Sequence, residues 1–171
     1  MPVTSKIIGP DSFSPRRLPL RQLDKPRGDV VHLWHLDFNQ LSNPLSSDSS
    51  TRFSELSVIQ QRATRRFFLR LLLGAYLGVP GKDVNIVRRV KGRPELDLNQ
   101  SNGELDFSLA RSDDHYLVGI SAGATVGVDL EPTTRRAGKP LALARRYFSA
   151  DETNALSGLD EDQLHRSFMY T

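Results

Sequence analysis

The chain contains no cysteine. Disulfide stapling and thiolate zinc sites are therefore excluded, and nothing marks the chain as an extracellular scaffold. Aromatic residues are few, 8% with one tryptophan, and they do not interleave with the cations as a stacking platform for nucleic acid would require. There is no large excess of one charge: 23 basic against 20 acidic residues leave a net charge of +3, too small by itself to imply a polyanionic partner. Long apolar runs are missing as well. Residues 67–77 are apolar-rich, but the stretch contains Arg70 and is too short to span a bilayer. The first twenty residues are broken by Pro and Arg and lack the apolar centre of a signal peptide. These absences predict a cytoplasmic protein without a membrane or nucleic-acid partner. Familiar site motifs are absent too. There is no phosphate loop ending in Gly-Lys-Ser/Thr, no Gly-x-Gly-x-x-Gly and no Gly-x-Ser-x-Gly, and the four histidines lack zinc-ligand spacing. His32 and His35 read as structural or surface residues.

What is present fits one domain, or two small lobes sharing a core: 171 residues, 38% hydrophobic and 25% charged. Residues 1–29 carry five prolines and read as an irregular or mobile lead-in. Alternation over 31–37 predicts a strand with bulky groups on both faces. The Ser/Pro/Asp-rich stretch 43–51 reads as a loop. Leu69, Leu72, Leu73 and Tyr76 fall at helical spacing within a predicted helix over 55–77, stopped by Gly78-Val79-Pro80-Gly81. Strands are expected over 84–90, 105–109, 115–121 and 125–131, with 97–103 a loop and 110–114 a polar turn. The last two strands form a hairpin about Ala122-Gly123-Ala124. Helices follow over 139–148, from a capping box of Ser149 and Glu152, and over 160–170, where Leu164, Phe168 and Met169 are available for packing. The class read from these elements is α+β, with a small, mostly antiparallel sheet and a long helix.

Three features carry chemistry. In Gly127-Val128-Asp129-Leu130-Glu131, strand alternation puts Asp129 and Glu131 on one face. Two carboxylates so placed either flank a hard cation such as Mg²⁺ or decorate a solvated strand edge. Arg62, Arg66 and Arg70 recur every four residues, with Arg65 beside them. They form either a solvated face or an anion site that turns their mutual repulsion into binding energy. Gly92-Arg93-Pro94 is a turn within a basic cluster that begins at Arg88 and presents a cation and backbone groups at one spot. A divalent ion together with several guanidinium groups suits a polyphosphate substrate. A small RNA-binding protein would use the same cations, but Asp129 and Glu131 would then sit awkwardly near a polyanion.

The order of Val31-His32-Leu33-Trp34, the run 66–78, Gly92-Arg93-Pro94, Phe107-Ser108-Leu109-Ala110-Arg111-Ser112, Gly127-Val128-Asp129-Leu130-Glu131 and Arg146-Tyr147-Phe148-Ser149-Ala150-Asp151-Glu152 resembles the 4'-phosphopantetheinyl transferases. The likeness is to the larger, two-lobed class and covers residues 31–171. It implies two pseudo-symmetric lobes, 30–104 and 105–171, each a small antiparallel sheet with a long helix, the second incomplete. It also implies transfer of the phosphopantetheine arm of coenzyme A to a serine of an apo acyl carrier protein or peptidyl carrier domain, with Mg²⁺, by a monomer that releases adenosine 3',5'-bisphosphate. Carried over by motif, Asp129 and Glu131 bind the metal, and Arg66, Arg70, Arg93, Pro94, Arg111 and Ser112 lie at coenzyme A. Arg93 stands where the family has Lys, and Arg111 where it has the His that contacts the nucleotide phosphate. Ala110 replaces a Ser hydroxyl. The family continues into Trp-x-x-Lys-Glu-Ala-x-x-Lys, which supplies a third carboxylate, the expected base, and a lysine. This sequence ends at Thr171 before that motif, so no catalytic base is assigned. The expectation is impaired transfer or, alternatively, an inactive remnant or carrier-binding module of the same fold.

Overall fold

A computed structural model describes residues 8–41, 51–88, 92–132 and 134–170. The start of the lead-in, residues 43–50 of the loop expected over 43–51, and Arg89, Val90 and Lys91 of the basic cluster lie outside the described residues, as does the Met169 side chain. The fold is mixed α/β, with two small antiparallel sheets and several helices. The chain forms two compact units, Phe13–Leu130 and Met1–Ser12 with Glu131–Thr171.

The larger unit is built on a three-stranded sheet. Its order is β1 (His32–Asp37), β5 (His115–Ala122) and β4 (Leu105–Ser112). β5 takes the centre because it is buried along almost its whole length, as its near-continuous apolar sequence requires. In register, Phe107 opposes Ile120, Leu109 opposes Val118, and Trp34 opposes Val118 from the other side. Alternation therefore sends Phe107, Val118, Ile120, Trp34 and Leu36 to one face, and Asp106, Ser108, Leu117, Gly119, Leu33 and His35 to the other.

The first face shares a buried cluster with helix α1 (Val58–Leu77), whose Phe68, Leu69, Leu72, Leu73 and Tyr76 are all buried. Ser57 starts α1 with a capping box: its Oγ accepts from Gln60 N, and its own N–H donates to Gln60 Oε1 (3.0 Å). Gly78 ends it in the left-handed region (φ +70°), as the Gly-Val-Pro-Gly stop predicts. Glu55, expected to start this helix, belongs instead to a separate 3₁₀ turn (Phe53–Glu55) that buries Phe53 against Phe38. The Tyr76 hydroxyl accepts from Trp34 Nε1 (2.8 Å) and bonds His32 Nδ1 (2.8 Å), giving His32 a structural partner. The second sheet pairs β2 (Ile86–Arg88) with β3 (Pro94–Leu96). A one-turn helix, α2 (Leu98–Ser101), follows where a loop was expected. The described lead-in is irregular but anchored: Leu23 N–H donates to Ala75 O (2.9 Å), and Leu20 and Leu23 pack on the core.

Two expectations about the sheet fail. Residues 110–112, expected in a turn, belong to β4, and the tight turn is Asp113-Asp114, with Asp113 at φ +48°. Residues 125–131 do not form a strand. The turn at 122–124 is there, with Gly123 at φ +80°, but β5 is paired on both edges, by β1 and by β4. No edge of β5 is left for a hairpin partner. The segment after Gly123 is extended without joining a ladder.

In the smaller unit, α3 (Pro140–Tyr147), α4 (Ala150–Ser157) and α5 (Glu161–Tyr170) pack on one another. Ala144 and Leu156 are buried, and Phe148 stacks on Phe168 with ring centroids 5.2 Å apart. The capping box forms as expected: Ser149 N–H donates to Glu152 Oε2 (2.8 Å), and the Ser149 hydroxyl accepts from Glu152 N (3.3 Å). Among the described residues no helix is long and apolar enough to cross a membrane.

Candidate functional site

The first turns of α1 and the β4–β5 turn enclose an open cleft of about 510 Å³ in the larger unit, lined by Ser54, Val58, Gln61, Arg62, Arg65, Arg111, Asp113 and Asp114. Arg62 and Arg65 reach it because they lie three residues apart on α1, one turn of a helix. Arg111 reaches it from β4, where it opposes Tyr116 on the face turned to α1. Arg65 is held in place: Nη2 donates to Asp113 O (3.1 Å), and its guanidinium carbon sits 4.8 Å from the centroid of the Phe53 ring. Its Nε is buried and has no hydrogen-bond partner among the described residues. Burial, and then the neighbouring Arg111 charge, push the Arg65 pKa below the usual arginine value, against smaller opposing effects of Tyr116 and Asp114. Tyr116 beneath them is pushed up to about 12 by burial, opposed by the two arginines. Arg111 is exposed and makes no hydrogen bond or ion pair with the described residues. The arrangement concentrates three guanidinium groups, which an anion with several acceptor oxygens would match.

Of the residues expected at coenzyme A, the cleft gathers Arg111. Arg66 is exposed on α1, and Arg70 is half-buried further along the helix, its Nε without a partner among the described residues; neither lines the cleft. Ser112 ends β4 opposite His115, on the other sheet face from Arg111, and Pro94 begins β3. Arg93 is engaged internally, with Nη2 donating to Asp106 Oδ1 (2.6 Å) and Nη1 to Val126 O (2.8 Å). Arg65, noted in the sequence only as a neighbour of the periodic arginines, is the cation of the cleft held by both a hydrogen bond and a ring contact. Its one legible signal was proximity to Arg66; its partner Asp113 lies 48 residues away in the chain.

The segment that carries the acidic pair keeps the expected alternation without being a strand. Val126, Val128 and Leu130 are half-buried, whereas Gly127, Asp129 and Glu131 are exposed. Its amides are taken by side chains of β4: Val126 N–H donates to Asp106 Oδ2 (2.9 Å), and Val128 N–H to Ser108 Oγ (3.2 Å). Beneath it, a Cβ on Gly119 would lie 2.6 Å from Val128 Cγ1, so only glycine there lets the segment lie down on the sheet. Glu131 is ion-paired to Arg135 four residues on. The donor chemistry, carboxylate oxygens, fits a hard cation. Among the described residues, no group of three or more His, Asp or Glu side chains is placed to hold a metal ion.

His35 and His115 meet across β1 and β5 on the same sheet face, with Nε2 of the first 3.1 Å from Nδ1 of the second. Burial, and then the His115 charge, lower the His35 pKa, with Asp37 opposing.

No protein-family model matches the chain. Two curated proteins do. The 4'-phosphopantetheinyl transferase HetI of Nostoc sp. (strain PCC 7120 / SAG 25.82 / UTEX 2576) is 31% identical over 152 residues, 82% of this chain and 63% of that protein. The putative 4'-phosphopantetheinyl transferase slr0495 of Synechocystis sp. (strain ATCC 27184 / PCC 6803 / Kazusa) is 30% identical over 111 residues, 64% of this chain and 44% of that protein. The chain thus spans less than two thirds of the length of either relative. With its sheet, long helix and arginine cleft described, the sequence resemblance acquires a measured counterpart: this chain is a distant homologue, at about 30% identity, of members of the 4'-phosphopantetheinyl transferase family.

Proposed function

We propose that the chain is a two-lobed phosphopantetheinyl transferase that takes coenzyme A as co-substrate and a serine of an apo carrier protein as acceptor, acting as a monomer in the cytoplasm. The observation that carries this reading is the cleft in which Arg62, Arg65 and Arg111 converge. Guanidinium groups match phosphate oxygens in number and geometry, and Arg111 stands where the resemblance puts a phosphate contact. Arg66 and Arg70 extend the same positive face along α1, and Arg93, Pro94 and Ser112 complete the proposed coenzyme A set. Asp129 and Glu131 are the proposed Mg²⁺ carboxylates.

In the reaction, the carrier serine oxygen forms a bond to the phosphorus bearing the pantetheine arm. The bond from that phosphorus to the oxygen of adenosine 3',5'-bisphosphate breaks, and the serine proton passes to a base. Mg²⁺, when bound, would offset the charge growing on the leaving phosphate. The arginines of the cleft hold the nucleotide phosphates and so orient the pyrophosphate for attack. Arg65 suits this role because its stacking on Phe53 and its bond to Asp113 O fix the guanidinium before any ligand arrives.

Incubating the 171-residue chain with coenzyme A, Mg²⁺ and an apo carrier protein tests the proposal. The expected result is a gain of one phosphopantetheine group on the carrier, read by mass spectrometry. Binding of coenzyme A and carrier without any mass gain would make the chain a binding module of the same fold. Binding of neither would overturn the proposal.

A further inference from the structure

Arg93 and Asp106 do something the motif containing Arg93 does not suggest. Asp106 uses both carboxylate oxygens: Oδ1 accepts from Arg93 Nη2 at 2.6 Å, and Oδ2 accepts from the Val126 amide at 2.9 Å. Arg93 closes the ring by donating Nη1 to the Val126 carbonyl at 2.8 Å. Residue 126 thus has its N–H and its C=O read by one charged pair, as a neighbouring strand would read them. All three groups are partly shielded from water, which strengthens charge-assisted bonds of this kind. Ser108 repeats the arrangement two residues along by accepting from Val128 N–H, and Gly119 leaves room for the Val128 side chain. The next residue outward is Asp129.

We propose that Arg93 and Asp106 are positioning residues: a charged clamp that grips Val126 and holds Asp129 in its presented, solvent-facing position. This rests on the reading of Asp129 as a metal carboxylate. A segment without a ladder has no partner strand to fix its path, so the clamp sets where the carboxylate stands. Arginine suits the clamp better than lysine because its fork reaches a carboxylate and a carbonyl at once in fixed geometry. The guanidinium is therefore the link between the start of β3 and the acidic segment.

The test uses Mn²⁺ as a spectroscopic stand-in for Mg²⁺ and follows its binding by electron paramagnetic resonance, alongside amide exchange by nuclear magnetic resonance. Asp106→Asn removes an acceptor and should weaken Mn²⁺ on the order of 10-fold, the scale on which supports of metal ligands act. The same variant should hasten exchange at the Val126 and Val128 amides while leaving metal-free coenzyme A affinity within about 2-fold, because the cleft does not use it. Arg93→Met should weaken Mn²⁺ and hasten exchange at the same two amides, and Arg93→Lys, which keeps the charge, should recover part of both losses. Ser108→Ala, a milder change, should weaken Mn²⁺ less and in the same direction, and it serves if Asp106→Asn fails to fold. Wild-type Mn²⁺ affinity and exchange in Asp106→Asn, with binding lost in Asp129→Asn, would overturn the clamp while sparing the metal reading. Undiminished Mn²⁺ binding in Asp129→Asn would overturn the metal reading, and the positioning role with it.

Discussion

On one face of the three-stranded sheet, α1 buries Leu69, Leu72, Leu73 and Tyr76 in a cluster with Phe107, Val118 and Ile120. On the opposite face, a short extended segment lies over Gly119, held by Arg93, Asp106 and Ser108. The first face is closed by area and close packing, which is non-directional and tolerant of detail. The second is closed by a few directional bonds, which fix Val126 and Val128 and, in the proposal above, aim Asp129. The contrast separates closure by packing from closure by directional bonds. Mutations on the two faces should therefore read out in different assays.

The largest effect belongs to the packed face. Leu73 is fully buried, and Leu73→Ala should destabilise the protein by about 3 kcal/mol through lost burial and a residual cavity, seen as a lower urea midpoint. At the cleft on the rim of that face, Arg65→Ala should weaken coenzyme A by roughly 2 kcal/mol, about 30-fold, the scale of hydrogen bonds to charged groups, with little change in the urea midpoint. Equal losses of stability and binding in that variant would show that Arg65 is structural. On the clamped face, Gly119→Ala forces a Cβ against Val128 and should cost about 1 kcal/mol. Its mark should be faster amide exchange over 126–128 with the β4–β5 ladder still protected.

The smallest effect is pH-dependent. Folding lowers the His35 pKa, mainly by burial and then through His115, so the unfolded chain takes up that proton first as pH falls below the ordinary value of 6.5. The contribution is complete above pH 6.5 and is lost as pH drops toward the lowered folded value. Urea midpoints measured across that window should fall gently for the wild type and less for His35→Gln.

Local features were legible in the sequence because their causes are local. The Ser149 and Glu152 capping box and the stop at Gly78 each depend on residues within a few positions. The sheet order was not legible. Residues 115–121 read as a strand, but their near-continuous apolar character also meant burial on both faces and pairing on both edges, which left the expected hairpin partner at 125–131 nowhere to pair. The alternation of Asp129 and Glu131 survives because the segment stays extended, although side chains rather than a ladder hold it. β3 and α2 escaped notice because they are only a few residues long and are tied by distant bonds, such as Asp97 N–H to Asn85 O (3.0 Å). Arg93 was expected at coenzyme A from its motif. Its two contacts, to Asp106 and Val126, come from 13 and 33 residues away, and no local pattern encodes them.

The central claim is that the cleft of Arg62, Arg65 and Arg111 holds the phosphates of coenzyme A. Calorimetric titration of the wild-type chain with coenzyme A, and separately with pantetheine, which carries no phosphate, tests it most directly. The account predicts that coenzyme A binds, that added salt weakens it, and that pantetheine gives no measurable heat of binding. Equal affinity for the two ligands would contradict it.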